Sequence, residues 1–222
     1  MIRISSTLIK KLSKNGTMLD YCPAQIKAYL DGISDEKSIY MLRGSYAHWL
    51  VLGKHSREDD AVTDLPRLRT GEKSADQLRI ELQAERCRQR LIDKGAIINS
   101  DTCERLIETK WEEDDNVILS THSDIITPIL RNGVQEPMCI IDLKFPGNLD
   151  SDYAEQPWKT PELIDWSQLV HSWYIFNKET GKNVLTSYWV YDYKSSPAKK
   201  ILYSEITQDD LMQYKQTIQY LS

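Results

Sequence analysis

From residue 104 to residue 145, apolar and polar side chains alternate at a period of two through ERLIETKW, NVILSTHSDIITPI and MCIIDLKF. That period sends successive side chains to opposite faces, which fits strands and not helices. The turn signals EDDN and RNG separate the segments, so the spacing predicts an antiparallel meander with a tight hairpin through Arg131, Asn132 and Gly133.

Helical patterns flank the meander on both sides. DYCPAQIKAYLD (20–31) reads as a Pro-started helix, and SIYMLRGSYAHWLVLG (38–53) as a strongly apolar helix ended by Gly53 and buried on most of its circumference. A polar loop, HSREDDAVTDLPRLRTGEK, leads into the helix SADQLRIELQAERCRQRLIDKG, closed by Gly95, with Leu78, Leu82, Cys87 and Leu91 as its apolar face. Beyond a Pro-rich segment from Pro146 to Pro161, ELIDWSQLVHSWYIFNKETG resumes a helix that ends at Gly181. The strands NVLTSYWVYDYKSS and KKILYSEI precede a C-terminal helix whose Thr207 and Asp210 have capping-box spacing. This order predicts one α/β domain over residues 1–222, with a central mixed β-sheet of about five strands flanked by helices.

Charge and cysteines narrow the function classes. With 33 Asp+Glu against 28 Lys+Arg, the net charge of -5 argues against a protein that coats nucleic acid non-specifically, but not against an acidic site that holds metal. No apolar run approaches the ~18 residues that span a bilayer, and MIRISSTLIKKLSKNG lacks a signal-peptide core, so neither a membrane protein nor a secreted precursor is expected. Cys22, Cys87, Cys103 and Cys139 form no C-x-x-C pair, which suggests indifferent thiols in a reducing cytoplasm and not a disulfide framework or a zinc ribbon.

The seven residues CIIDLKF (139–145) are the most informative. In a strand, Cys139, Ile141, Leu143 and Phe145 point one way while Ile140, Asp142 and Lys144 point the other. An interior strand that displays a carboxylate and an ammonium on one face incurs a desolvation cost unless something compensates. The bland alternative is a Lys–Asp pair at a strand end. On the preceding strand, alternation sets Asp124 on one face with His122, Ile118 and Ile126, and the hairpin brings Asp124 towards Asp142. Two carboxylates so placed repel unless one is protonated or a divalent cation lies between them. A lysine beside them can orient water or stabilise charge on a phosphate, the minimum equipment for phosphodiester hydrolysis.

Asp124, followed after a hairpin by IIDLKF, resembles the core of the PD-(D/E)xK nuclease superfamily, with Asp142 and Lys144 as its second half. Upstream, Gly44 and His48 in RGSYAHWL are similar to the G-x-x-x-H signature of the RecB-type branch. Downstream, Gln168 in DWSQLVHSWYIF resembles that branch's glutamine-bearing helix, although the branch often has tyrosine four positions on, where this chain has Ser172, with Tyr174 two further. The wording as a whole is similar to RecE-like phage and prophage exonucleases, in which a glutamate leads the first meander strand, as Glu108 does here.

The resemblance implies a restriction-endonuclease-like core and metal-dependent hydrolysis of DNA. It implies that Asp124, Asp142, the Leu143 carbonyl and His48 bind Mg²⁺ or Mn²⁺, with Glu108 adding to the shell, Lys144 positioning the attacking water and Gln168 holding DNA or orienting the site. It further implies an exonuclease that resects duplex ends 5′ to 3′ in phage or prophage recombination, in a bacterial or phage-infected cytoplasm. A single-strand annealing protein and a ring-shaped homo-oligomer are implied in the same way. The iron–sulfur nucleases of CRISPR adaptation share the His, Asp, Asp and Lys pattern, but they need cysteines after the catalytic helix, and none follows Cys139, so no iron–sulfur cluster is expected.

Simpler readings stand beside these. His48 also fits a core histidine, and Glu108, alternating with Lys110, also fits an exposed cross-strand pair. Arg67, Arg69 and Lys73, in the loop after the histidine helix, and Tyr174 are candidates for DNA contact, against the alternative of an ordinary surface. A non-catalytic DNA- or protein-binding scaffold would be marked by a broken D-x-K, which is intact here. An endonuclease of defence or DNA packaging fits the same residues.

Overall fold

The computed structural model describes residues 2–14, 17–18, 26–27, 31, 38–53, 62–147, 149, 158, 160, 163–194 and 199–222. Cys22 and most of the helix expected over residues 20–31 lie outside them, as does most of the Pro-rich segment.

The meander forms as the alternation requires: β4 (Cys103–Lys110), β5 (Val117–Arg131) and β6 (Val134–Lys144) pair antiparallel in that order. The two-residue turn works because Asn132 and Gly133 both take positive φ, 50° and 80°, the twist that a tight hairpin needs. Pro128 sits in β5 without breaking the sheet. It lies past the end of the β4 ladder and at a register shift between Thr127 and Ile129, so no hydrogen bond is owed there.

Three more strands extend the sheet to six, one more than expected. β7 (Leu185–Tyr191) pairs parallel with β6, and β8 (Lys199–Ser204) antiparallel with β7. The addition is β1 (Ile2–Ser5), which runs parallel to β5 from Ile2↔Val117 to Ser5↔Ser120. The chain then turns into α1 (Ser6–Leu12), and β2 (Ser13–Lys14) and β3 (Thr17–Met18) form a separate small pair.

α2 (Ile39–Leu52) and α3 (Ala75–Asp93) cover one face of the sheet, packing on Ile125, Ile129, Cys139, Ile141, Leu143, Trp189 and Tyr191. Ser38 caps α2 at its start, and Gly53, at φ 66°, ends it. α2 is less buried than its sequence suggests: Tyr46, Ala47, Val51 and Leu52 are buried, whereas Ile39, Tyr40 and Met41 are exposed. The apolar face of α3 also differs from expectation. Gln77, Ile80, Ala84, Cys87 and Leu91 point inward at spacings of three and four, while Leu78 and Leu82 are exposed. The polar Gln77 can be buried because its amide donates to Asp64 and Glu81.

On the opposite face, α4 (Ser167–Thr180) and α5 (Gln208–Leu221) join α1. Thr207 and Asp210 form the capping box that their spacing predicts. α4 starts later than its pattern, at Ser167, because Asp165 accepts from the Ser167 N–H and sets the entry turn.

The long strand β5 changes phase along its length. Val117 and Leu119 pack with α1, α4 and α5, yet Ile125 and Ile129, at the same parity, pack with α2 and α3. The switch falls where β5 also changes neighbours on one edge, between the end of β1 at Ser120 and the start of β6 pairing at Ile125. Asp124 lies in that gap. Beyond the switch Ile126, opposite Ile140, is buried in the core beneath α4, while His122, before it, is exposed.

Candidate active site

The sheet splits at Asp124, and the groups around it replace the missing ladder. The pairing of Ile125 with Ile141 makes Asp124 and Asp142 the next facing positions. Asp124 Oδ2 accepts the Leu143 N–H at 2.6 Å, a hydrogen bond that fastens one acid to the strand carrying the other. Lys144 Nζ lies 2.7 Å from Asp142 Oδ1 and 3.3 Å from Gln168 Oε1, so the first turn of α4 holds the lysine from the far side. From the other face, α2 brings His48, whose Nε2 donates to the Leu143 carbonyl at 2.8 Å. A carbonyl only accepts, so the ring proton sits on Nε2, and Nδ1 turns towards Asp124 Oδ1 at 3.7 Å, beyond hydrogen-bond reach. His48, Asp124, Asp142, Lys144, Gln168 and the Leu143 backbone thus meet in one place.

The side chains are largely but not wholly covered, at 22% exposed for His48, 16% for Asp124, 11% for Asp142 and 17% for Lys144, which leaves a route for solutes. Burial pushes the Asp124 carboxyl above its ordinary value; His48 opposes this and Asp142 adds to it. Burial alone would pull Lys144 down, but Asp142 and Asp124 outweigh it and hold its pKa above the usual lysine value, as an ammonium. A second lysine, Lys10 of α1, stands near the same charges. Burial and the Lys144 ammonium pull it down to about 8, although Asp142 and Asp165 oppose them.

Ligand atoms of His48, Glu104 and Asp124 lie within 4.8 Å of one another, a set of one imidazole nitrogen and two carboxylates. Such a set fits a divalent cation. The buried Asp142 Oδ1 next to it has the Lys144 ammonium at 2.7 Å. Asp142 and the Leu143 carbonyl, expected among the ligands, here face Lys144 and His48 respectively.

Glu104 lies outside the motifs that mark the other site residues in the sequence. The β4–β5 register places it opposite Asp124, and its φ of 49° is a left-handed backbone that side-chain-bearing residues seldom adopt. Its signal in the sequence is arithmetic: a hairpin centred on the EDDN acids pairs position 104 with position 124. The same register pairs Glu108 with Ser120, and the Glu108 carboxylate lies 3.1 Å from Arg3 at the exposed edge, away from the cluster.

The DNA-contact candidates are spread out. Arg67 is paired with Asp64 at 2.9 Å and Lys73 with Glu81 at 2.8 Å, in a network that ties the 62–74 loop to α2 through Tyr46 and Glu81. Arg69 is exposed. Tyr174 offers no surface for stacking, because it is buried against Trp111 and Tyr214. Ser172 is also buried, its hydroxyl 2.7 Å from Thr121 Oγ1. Cys87, Cys103 and Cys139 are buried free thiols. No described helix is long and apolar enough to cross a membrane.

No protein-family model and no curated protein matches this sequence. Among solved structures, the chain is similar to a protein of Eubacterium rectale provisionally named an exonuclease, with a TM-score of 0.61 and 17% identity over 98% of this chain and 77% of the other. At that identity the likeness establishes a shared fold. SSO0001 aligns over 87% of this chain and 81% of its own at 12% identity and a TM-score of 0.32, too slight a likeness to bear on the fold.

Proposed function

We propose that this chain is a metal-dependent deoxyribonuclease of the PD-(D/E)xK superfamily, on its RecB/RecE-like branch, acting as an exonuclease on duplex ends. The observation that carries the reading is the Asp142–Lys144 pair held beside Asp124 and His48 at the split of the sheet. The fold shared with a provisionally named exonuclease supports it.

His48, Glu104 and Asp124, with Asp142 beside them, are the residues to hold Mg²⁺ or Mn²⁺. When bound there, such an ion neutralises phosphate charge and makes a water molecule more acidic. Lys144, kept charged by the two aspartates and braced by Gln168, presents its ammonium to the attacked phosphate and the attacking water. The proton on His48 Nε2, committed to the Leu143 carbonyl, fixes the ring so that Nδ1 faces the acids. Arg67, Arg69 and Lys73 supply phosphate contacts that position the duplex without reading its sequence.

The role we assign is 5′ to 3′ resection in phage or prophage recombination within a bacterial cytoplasm. A single-strand annealing protein receives the product, and the chain assembles as a homo-oligomer. The test compares covalently closed circular duplex with the same DNA linearised, in Mg²⁺ or Mn²⁺, with 5′ and 3′ labels in separate reactions. The reading expects the circle to survive while the linear form yields mononucleotides or short oligonucleotides from the 5′ label first. Comparable cleavage of both forms would move the assignment to an endonuclease. Cleavage of neither would remove the nuclease.

A further inference from the structure

We propose that Tyr188 is a positioning residue for Lys144: the face of its ring holds the ammonium where it meets the attacked phosphate. The inference rests on the nuclease reading and deepens it, adding a residue of β7 that the sequence motifs do not include.

The register of the sheet puts Tyr188 there. β7 runs parallel to β6 with Tyr188 opposite Asp142 and Val190 opposite Lys144, so all four side chains share the sheet face that lies beneath α4. Tyr188 is fully buried. Lys144 Nζ stands over its ring, 5.7 Å from the centroid, within the range in which a cation is drawn to an aromatic face. Asp142 Oδ1 and Gln168 Oε1 flank the same ammonium at 2.7 Å and 3.3 Å.

The ring is itself fixed. Its hydroxyl donates to the Asp165 carbonyl at 3.2 Å, Trp166 lies against it at a centroid distance of 5.2 Å, and Trp158 makes a T-shaped contact at 5.5 Å. Asp165 and Trp166 belong to the turn that opens α4, just before Gln168. One turn of chain therefore sets both the amide and the ring that border Lys144.

Chemistry favours a ring at this place. An aliphatic side chain would set that side of the ammonium against hydrocarbon, with nothing to offset its lost hydration. A further carboxylate would compete with the phosphate for the lysine's charge. A ring face attracts the cation yet carries no net charge and accepts no proton, so it fixes direction without neutralising. Lys144 keeps 17% of its side chain exposed, and a phosphate meets it on that open side.

The test uses the full chain, with single-turnover cleavage of a labelled linear duplex in Mg²⁺ or Mn²⁺ and duplex binding in Ca²⁺. Tyr188→Phe keeps the ring and should cleave within about threefold of the wild type. Tyr188→Met fills similar space without an aromatic face and should cleave at least about tenfold more slowly, with binding of duplex nearly unchanged. A second comparison holds even where Tyr188→Met does not fold. Phenylalanine at position 188 bearing one, two or three ring fluorines keeps its shape while losing negative charge from the ring face. Cleavage should fall stepwise, roughly fivefold across that series, with binding again unchanged. A flat rate across the fluorine series, or an equal loss in Tyr188→Phe and Tyr188→Met, overturns the proposal, while wild-type cleavage keeps the nuclease reading. A wild-type protein that does not cleave the duplex overturns both.

Discussion

His171 and His48 show how a histidine's partners decide its use. His171 is fully buried, donates from Nε2 to the Ser120 carbonyl at 2.9 Å and accepts from the Tyr214 hydroxyl at 2.8 Å. Both nitrogens are committed, so it is a structural residue, and burial holds its pKa down at about 4. A histidine whose folded pKa is depressed binds its proton more readily when unfolded, so stability is intact above about pH 6.5 and falls as pH drops towards 4. The loss should reach about 3 kcal/mol, and His171→Gln should flatten the slope of stability between those limits in denaturant titrations. His48 keeps one nitrogen facing the acids; its i, i+4 spacing with Gly44 made it a candidate through the family resemblance, whereas nothing in the sequence around His171 marks a role. Glu104 escaped notice for another reason: its place depends on a register and a left-handed backbone. Relieving that backbone with Glu104→Gly should leave the metal-free protein as stable or about 1 kcal/mol more so. A cation that binds only the folded chain raises its melting temperature by mass action. Mn²⁺ should do so for the wild type, less for Glu104→Gly, and not for Asp124→Asn/Asp142→Asn. An equal shift in all three would remove the site.

At the scale of elements, legibility followed local signals. The Asn132–Gly133 hairpin, the helices ended by Gly53 and Gly181, and the Thr207 box were readable because a turn or cap is written in adjacent residues. β1 and α1 were not, because a four-residue strand pairs with a segment more than a hundred positions away. The face of α3 misled because its leucines at 78 and 82 are exposed and a hydrogen-bonded Gln77 is buried in their stead. The phase change in β5 was hidden as well, since alternation read from sequence assumes a regular strand, and Asp124 sits where regularity stops. Among these elements α5 gives the cleanest test. Its side chains Lys215 and Gln219 reach Glu112 and Glu113 on the β4–β5 turn, distant in function from the acid cluster. Thr207→Ala should cost about 1 kcal/mol in chemical denaturation and leave metal-induced stabilisation unchanged. A lost metal response would mean that α5 supports the site directly.

For the whole molecule, the sheet works as a device for assembling a site from both of its layers. α2 delivers His48 from one face, α4 braces Lys144 through Gln168 from the other, and the split between β1 and β6 lets these groups meet around Asp124. In the function proposed above, this meeting point hydrolyses phosphodiester bonds with a divalent cation and Lys144 acts on the transition state. The direct measurement is single-turnover cleavage of an end-labelled linear duplex by the wild type with Mg²⁺ or Mn²⁺, by the wild type in a chelator, and by Lys144→Ala, with duplex binding measured in parallel. Cleavage is expected only with metal and should fall at least about a hundredfold in Lys144→Ala, with binding nearly unchanged because most affinity comes from many backbone contacts. Undiminished cleavage in the chelator, or by Lys144→Ala, would overturn metal-dependent hydrolysis or the role of Lys144.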